Sequence, residues 1–316
     1  KHFILLIFIS FSLFCSAQQN KSDFAVQDAN EYIASKYQNY DIVILGECHR
    51  LENELSFLKK NIPLLYEKGI RCFAFEFLAF TAQDKIDKLI AADKFSKPLR
   101  DSVISEKPRW FLKEYMDILY VLWKLNKSSK KKIKVLGLDL PLSYPNYQSI
   151  DKDSVMAANV IKYYSKTKGK MLIYCGANHG FTKWYMYSPG GEIAVRMGNI
   201  VYQKFPDKIT NIYIFPMIYE DENENYYVIS YKNKKSVFGM DLKNSPVSQI
   251  TAGSYYFQKC ADYSWGNFYD GAIFINKKLK LCKMDKKISE EYRKEFYKVQ
   301  TIFYKELRTS LVFINE

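Results

Sequence analysis

Short apolar runs rich in β-branched and aromatic residues recur along this chain, and helical periodicities fill the spaces between them. Ile42–Leu45, Ile70–Phe77, Lys134–Leu140, Lys170–Cys175 and Ile209–Phe215 each read as a buried strand. Between the first two, Leu51–Lys68 carries Leu51, Leu55, Leu58, Ile62 and Leu65 at helical spacing, with Pro63 expected to kink or restart the helix. Gln83–Ala92 is helical, and Trp110–Leu125 sets Phe111, Tyr115, Ile118, Leu122 and Leu125 on one face. Ser154–Ser165 follows with Ser154 as its N-cap, and then Gly190–Phe205. This alternation selects an α/β fold: a largely parallel or mixed central sheet flanked by helices. A helix over Phe24–Tyr37 precedes the first strand. A hairpin over Tyr226–Val237, a last strand over Tyr269–Ile275 and a charged helix over Ile288–Leu311 complete the reading.

The strand ends carry the chemistry. Gly46 closes the first run, and Glu47 and His49 follow it. Glu76 lies near the end of the second, and Asp139 closes the third before Pro141. The fourth delivers Gly176, Asn178 and His179. In open α/β sheets ligands bind outside the carboxyl ends of the strands, so strands facing one way bring these groups to one rim. The chain has three histidines. His2 lies in an N-terminal apolar segment, while His49 and His179 share the frame Gly-x-x-His, each after an apolar run.

Charge and cysteine use bound the setting. Lys1–Ala17 has a basic start, an apolar stretch over Phe3–Phe14 and small residues at Cys15-Ser16-Ala17, as a signal peptide does. The protein is therefore expected to be exported, periplasmic or secreted. Cys15 would be a lipoprotein cysteine only if the bulky Phe14 were tolerated before it. The expected divisions are residues 1–17 as leader, 18–39 as an N-terminal extension, 40–283 as the domain and 284–316 as a C-terminal helix. The net charge of +13 invites a nucleic-acid reading. Its densest run, Lys127–Lys134, falls between a helix and a strand as a solvated loop would, and no nucleic-acid motif is present. The cysteines outside the leader are odd in number, against a dense disulfide framework. A Cys260–Cys282 pair stays open, and Cys48, Cys72 and Cys175 read as buried small hydrophobes.

The motifs resemble those of the erythromycin-esterase, ChaN-like and TraB/Tiki superfamily. Gly46-Glu47-x-His49, Glu76 and Gly176-x-x-His179 are similar to the TraB/Tiki pattern. Trp110, Leu122–Asn126, Gly137-Leu138-Asp139, Asn178-His179, Met197-Gly198 and Tyr269–Phe274 are similar, in order, to the erythromycin-esterase branch. The spacing Glu47-Cys48-His49-Arg50 departs from that branch, which usually has one more residue before the histidine and a glycine after it. Cleavage of an antibiotic ester is therefore not the expectation.

His49 is the candidate general base, taking a proton from water. Glu47 or Glu76 would orient its ring, and His179 would stabilise an oxyanion or protonate the leaving group. The esterase resemblance implies that this hydrolysis of an ester, lactone or amide needs no metal. Arg50, Asp139, Asn178 and Arg196 are candidate substrate-binding residues, beside Glu52, with a small molecule or peptide as substrate. The Tiki resemblance implies instead a metal-dependent, peptidase-like activity, with a divalent ion such as manganese or zinc that Glu47, His49, Glu76 and His179 would hold. The ChaN resemblance implies haem binding and association with the outer membrane. A buried polar network tying strand ends together is the purely structural alternative. Cys48 as a nucleophile is disfavoured, because adjacent loop side chains diverge.

Overall fold

The computed structural model describes residues 25–187, 192–215, 237–249, 264–275, 277 and 280–283. The expected leader, Cys260, the C-terminal helix and all of the expected hairpin except Val237 lie outside the described residues. The elements run β1 (Gln27–Asp28), α1 (Ala29–Lys36), β2 (Ile42–Glu47), α2 (Glu52–Glu67), β3 (Cys72–Ala79), α3 (Gln83–Ala91) and α4 (Lys97–Ile104). They continue α5 (Lys113–Ser128), β4 (Lys134–Asp139), α6 (Lys152–Thr167), β5 (Met171–Gly176), β6 (Met186–Tyr187), β7 (Ile193–Ala194) and α7 (Met197–Lys204). β8 (Ile209–Phe215), β9 (Val237–Asp241), α8 (Trp265–Phe268) and β10 (Gly271–Ile275) close the series.

Among the described residues, eight strands form one mixed sheet in the order β1-β9-β10-β8-β2-β5-β3-β4. The run from β10 to β4 is parallel throughout, and β9 pairs antiparallel with both β10 and β1. The chain leaves β2 for β3 and β4, then returns to lay β5 between β2 and β3. It next places β8 on the far side of β2. The sheet interior therefore holds β2, β5 and β3 side by side, all pointing one way, and these strands lead into Glu47 and His49, His179, and Glu76.

The pleat assigns each residue a face. Val43 and Leu45 of β2, with Phe73, Phe75 and Phe77 of β3, pack with α1 to α5. Ile42 and Ile44, with Cys72 and Ala74, pack with α6 and α7. By the same alternation Glu47 turns to the α5 side and Glu76 to the α6 side. A one-residue slip of β2 would exchange the two faces. Val43, Ile44 and Leu45 are each fully buried, and burial of each such side chain contributes about 1.5–3 kcal/mol. Register, and with it the facing of Glu47, is strongly held.

Several helices differ from their sequence reading. α2 runs through Pro63 as one helix. α4, which the periodicity did not reveal, starts at Ser96, whose hydroxyl accepts the Leu99 N–H, with Pro98 in its first turn. Trp110 stands before α5, in a 3-10 turn over Pro108–Trp110. α6 starts earlier than expected, because Asp151 and not Ser154 is its cap: the Asp151 carboxylate accepts from the Asp153 N–H and the Ser154 hydroxyl. The helix read from Gly190 begins only at Met197, after a β6–β7 ribbon. There the Asn199 side chain accepts the Arg196 N–H at 2.8 Å and fixes the helix start. Among the described residues, no helix is long and apolar enough to cross a membrane.

Candidate functional site

Each histidine leaves its strand within one turn and has its Nδ1 held by a carboxylate. His49 follows β2, and its Nδ1 bonds Glu47 Oε1 at 2.9 Å. His179 sits in a 3-10 turn over Ala177–Gly180 after β5, and its Nδ1 bonds Asp153 Oδ1 at 2.7 Å. With Nδ1–H donating to an acid, each ring turns Nε2 toward the remaining carboxylate, Glu76. Glu76 Oε1 lies 4.0 Å from His49 Nε2 and 3.5 Å from His179 Nε2. The other Glu76 oxygen accepts the Gly176 N–H at 2.6 Å. The five side chains form a row: Glu47, His49, Glu76, His179, Asp153.

Gly176 is demanded by that row. A Cβ there would stand 2.5 Å from His49 Cε1 and 2.6 Å from its Nε2. The glycine of the second Gly-x-x-His frame thus makes room for the histidine of the first.

The supports lie on opposite faces of the sheet, as the pleat dictates. On the α5 side the Tyr115 hydroxyl lies 3.0 and 3.1 Å from the two Glu47 oxygens, donating to the carboxylate, and accepts the Arg50 N–H at 3.1 Å. Arg50 has φ +70°, a left-handed backbone that costs a non-glycine residue about 1–3 kcal/mol. The Tyr115 bond and a second from the Cys282 N–H to the Arg50 carbonyl hold it there. Glu54 on α2 accepts the Cys48 N–H at 2.9 Å, fixing the residue between Glu47 and His49. On the α6 side, Asp153 accepts from the Met197 N–H at 2.8 Å and from Arg196 at 3.1 Å, besides His179. The Trp110 ring meets His49 edge to face, with centroids 4.8 Å apart.

These contacts set the charges. Burial lowers the affinity of His179 for a proton, but Glu76 and then Asp153 outweigh it and push its pKa up to about 9. For His49 the same opposition, burial against Glu76 and Glu47, ends in a raised pKa. Burial pushes Glu76 up, yet His179, His49, the Gly176 N–H and Lys107 together hold it below its ordinary value. Asp153 is held low in the same way, by His179, Met197 and Arg196 against burial. Glu54 behaves oppositely: burial, then the Glu47 charge, lift it well above its ordinary value.

Of the residues singled out from sequence, Glu47, His49, Glu76 and His179 come together. Asp139 does not reach this row: its carboxylate pairs with the buried Lys107 and accepts the Leu140 N–H. Arg196 spends its guanidinium on Asp153 and on the Met186 sulfur. Asn178 adjoins His179, and its Oδ1 is buried with no hydrogen-bond partner among the described residues. Cys282 is a buried free thiol. Asp153, Tyr115, Glu54 and Lys107 were not read as site residues. Tyr115 did carry a signal, since a tyrosine on a buried helix face needs a partner for its hydroxyl. Asp153 carried none, because an acid in a first helical turn reads as capping.

Among the described residues, no group of three histidine, cysteine, aspartate or glutamate side chains is placed to hold a metal ion. Each Nδ1 is held by an acid, which leaves both Nε2 atoms facing Glu76.

No family model and no curated protein matches this sequence. Solved structures match its fold. A succinoglycan biosynthesis protein superposes with a TM-score of 0.61 at 13% identity, covering 81% of this chain and 92% of its own. A Bacillus cereus protein gives 0.58 at 15% identity, over 78% of this chain and 91% of its own. A mutant of the erythromycin esterase EreC in its open conformation gives 0.55 at 11% identity, over 82% and 95%. At these identities the likeness is one of fold. The chain has an erythromycin-esterase-like α/β fold, as its strand-end motifs suggested.

Proposed function

We propose that this protein is a hydrolase that cleaves an ester, lactone or amide with water activated by His49. The observation that carries the reading is the row of acids and imidazoles in which both Nε2 atoms face Glu76. His49 is the better placed base, because 36% of its side chain reaches solvent against 20% for His179. His179, cationic below pH about 9, suits the complementary task of stabilising the oxyanion or protonating the leaving group. Glu47 fixes the His49 ring, and Glu76 favours the imidazolium that forms when water gives up its proton. The likeness in fold to an erythromycin esterase supports the reading without naming a substrate. The substrate is a small molecule or peptide with a carbonyl centre. The leader-like Lys1–Ala17 supports export, with the reaction outside the cytoplasm.

The test is an ester and peptide panel on the protein, with and without chelator. Loss of general-base catalysis in His49→Ala should cost about 10²–10⁴ in rate, and Glu76→Gln should also lose activity, with the wild type indifferent to chelator. Full activity in both variants would leave the cluster a structural polar network. Activity lost to chelator and restored by manganese or zinc would favour a metal site. A Soret band on haem titration, with no hydrolysis, would favour haem binding.

A further inference from the structure

Lys107 and Asp139 form a buried ion pair that the proposed reaction does not use. Lys107 is 5% exposed and Asp139 2%. The Lys107 ammonium donates to Asp139 and, at 3.0 Å, to the Leu140 carbonyl. Two buried charges are costly to desolvate, and a pair of well-packed apolar residues often serves stability as well or better. The pair therefore calls for a reason other than stability.

Its place in the chain supplies one. Lys107 opens the turn that presents Trp110: its carbonyl accepts the Trp110 N–H at 2.9 Å, and its own N–H donates to Ile104 at 2.8 Å. Side chain and backbone of one residue thus tie the end of β4, the end of α4 and the Pro108–Trp110 turn together. Trp110, 7% exposed, lies between His49 and Tyr115, with ring centroids 4.8 and 4.9 Å away. Tyr115 in turn holds Glu47. His49 faces Glu47, Glu76, His179 and Trp110, and of these Trp110 alone is carried by the Lys107 turn; the Lys107 charge also bears on Glu76, so the test removes it together with the opposing Asp139 charge.

We infer that the Lys107–Asp139 pair is a positioning device, which pins the Pro108–Trp110 turn so that Trp110 walls His49 and keeps its ring in line with Glu47 and Glu76. Asp139 then acts through Lys107 and Trp110, at a distance from substrate. The catalytic consequence rests on the hydrolase reading, but the positioning does not, and the experiment separates the two.

The variant is Lys107→Met with Asp139→Asn. It removes both charges together and keeps an oxygen for the Leu140 N–H. NMR titration of the two histidines outside the leader-like segment is the main readout. With Trp110 released, His49 gains water and its titration midpoint rises. His179, held by Asp153 and Arg196, keeps its midpoint. Acrylamide quenching of the Trp110 contribution, defined against Trp110→Phe in each background, increases. On any substrate found by the panel, kcat falls about 10- to 100-fold, as for a small misplacement of a catalytic group. Trp110→Leu, which leaves the ion pair intact, must reproduce the His49 shift, and it serves alone should the double variant not fold. A His49 midpoint and Trp110 quenching unchanged in the folded double variant overturn the inference. So does an unchanged His49 midpoint in Trp110→Leu. A shift in both without any hydrolysis in the wild type upholds the positioning and sinks the hydrolase reading alone.

Discussion

Replacing Asp153 by Asn tests the electrostatics of the site most directly. The bond from His179 Nδ1 to Asp153 Oδ1 is 2.7 Å long, charge-assisted and 5% exposed on the acid side. The His179 pKa of about 9 stands some 2.5 units above the ordinary 6.5, which amounts to about 3 kcal/mol in favour of the imidazolium. Asp153 shares that effect with Glu76, and burial opposes both. A hydrogen bond to a charged group contributes about 1.5–3 kcal/mol, or about 1–2 pH units. The Asn variant should then titrate near pH ~7–8. Arg196, whose charge already opposes the imidazolium, loses its partner and presses in the same direction. The sign for stability follows from linkage: a raised histidine pKa stabilises the fold fully below pH about 6.5, and that contribution is lost as pH climbs through about 9. In the variant the loss should fall at lower pH. NMR titration of His179 and urea melts between pH 6 and 10 (roughly the span of these pKa values) measure both. A His179 midpoint still near 9 would show that Glu76 alone sets the charge and would refute the role given to Asp153.

Other outcomes follow from the same geometry. Gly176→Ala forces a Cβ to 2.5 Å from His49 Cε1, so it should displace His49 and abolish activity while the protein still melts cooperatively. Tyr115→Phe leaves Glu47 and the Arg50 N–H without a shared hydroxyl. It should lower stability by about 1–3 kcal/mol in urea denaturation. Glu54→Gln should be close to neutral in stability, because burial and the Glu47 charge favour the uncharged acid and the acceptor for Cys48 is kept; Glu54→Leu should not be.

The sheet was legible because its parallel strands are buried on both faces and so appear as near-continuous apolar runs. Glu76 stands out inside such a run, Ile70–Phe77, where an unpaired acid would be costly. His49 and His179 were legible from rarity and shared frame. What the sequence hid were side chains brought in from other elements. Asp153 reads as one more polar residue beside its capping neighbour Asp151, and only the packing of α6 against β4 and α7 makes it the partner of His179. Asp139 ends its strand as a site residue should, yet β4 lies at the sheet edge, beyond β3, and its acid finds Lys107 instead. The helix read from Gly190 failed for another reason: Ile193 and Ala194 pair as strand, and the Arg196–Asn199 bond sets the helix start that the apolar pattern blurred.

The two imidazoles are built alike but are not electrostatically equal, and in the proposed hydrolysis that difference would give the reaction its direction. Glu47, Glu76 and Asp153 bring three negative charges to the row, while His179 and Arg196 bring two positive ones at neutral pH. With His49 neutral, the set lacks one cation. A proton taken from water by His49 supplies it and leaves three charges of each sign. Base action by His49, as proposed, would therefore relax the site. Loss of the His179 proton would leave Glu76 and Asp153 short of a counter-charge, so in the proposed reaction that ring would hold its proton until an oxyanion or leaving group drew on it. The same asymmetry predicts a bell-shaped rate profile, rising as His49 deprotonates and falling through about pH 9 as His179 does. In Asp153→Asn the alkaline limb alone should move, downward by about 1–2 units. A profile in which the acid limb moved with it would mean that the two rings titrate as one coupled pair and share both roles.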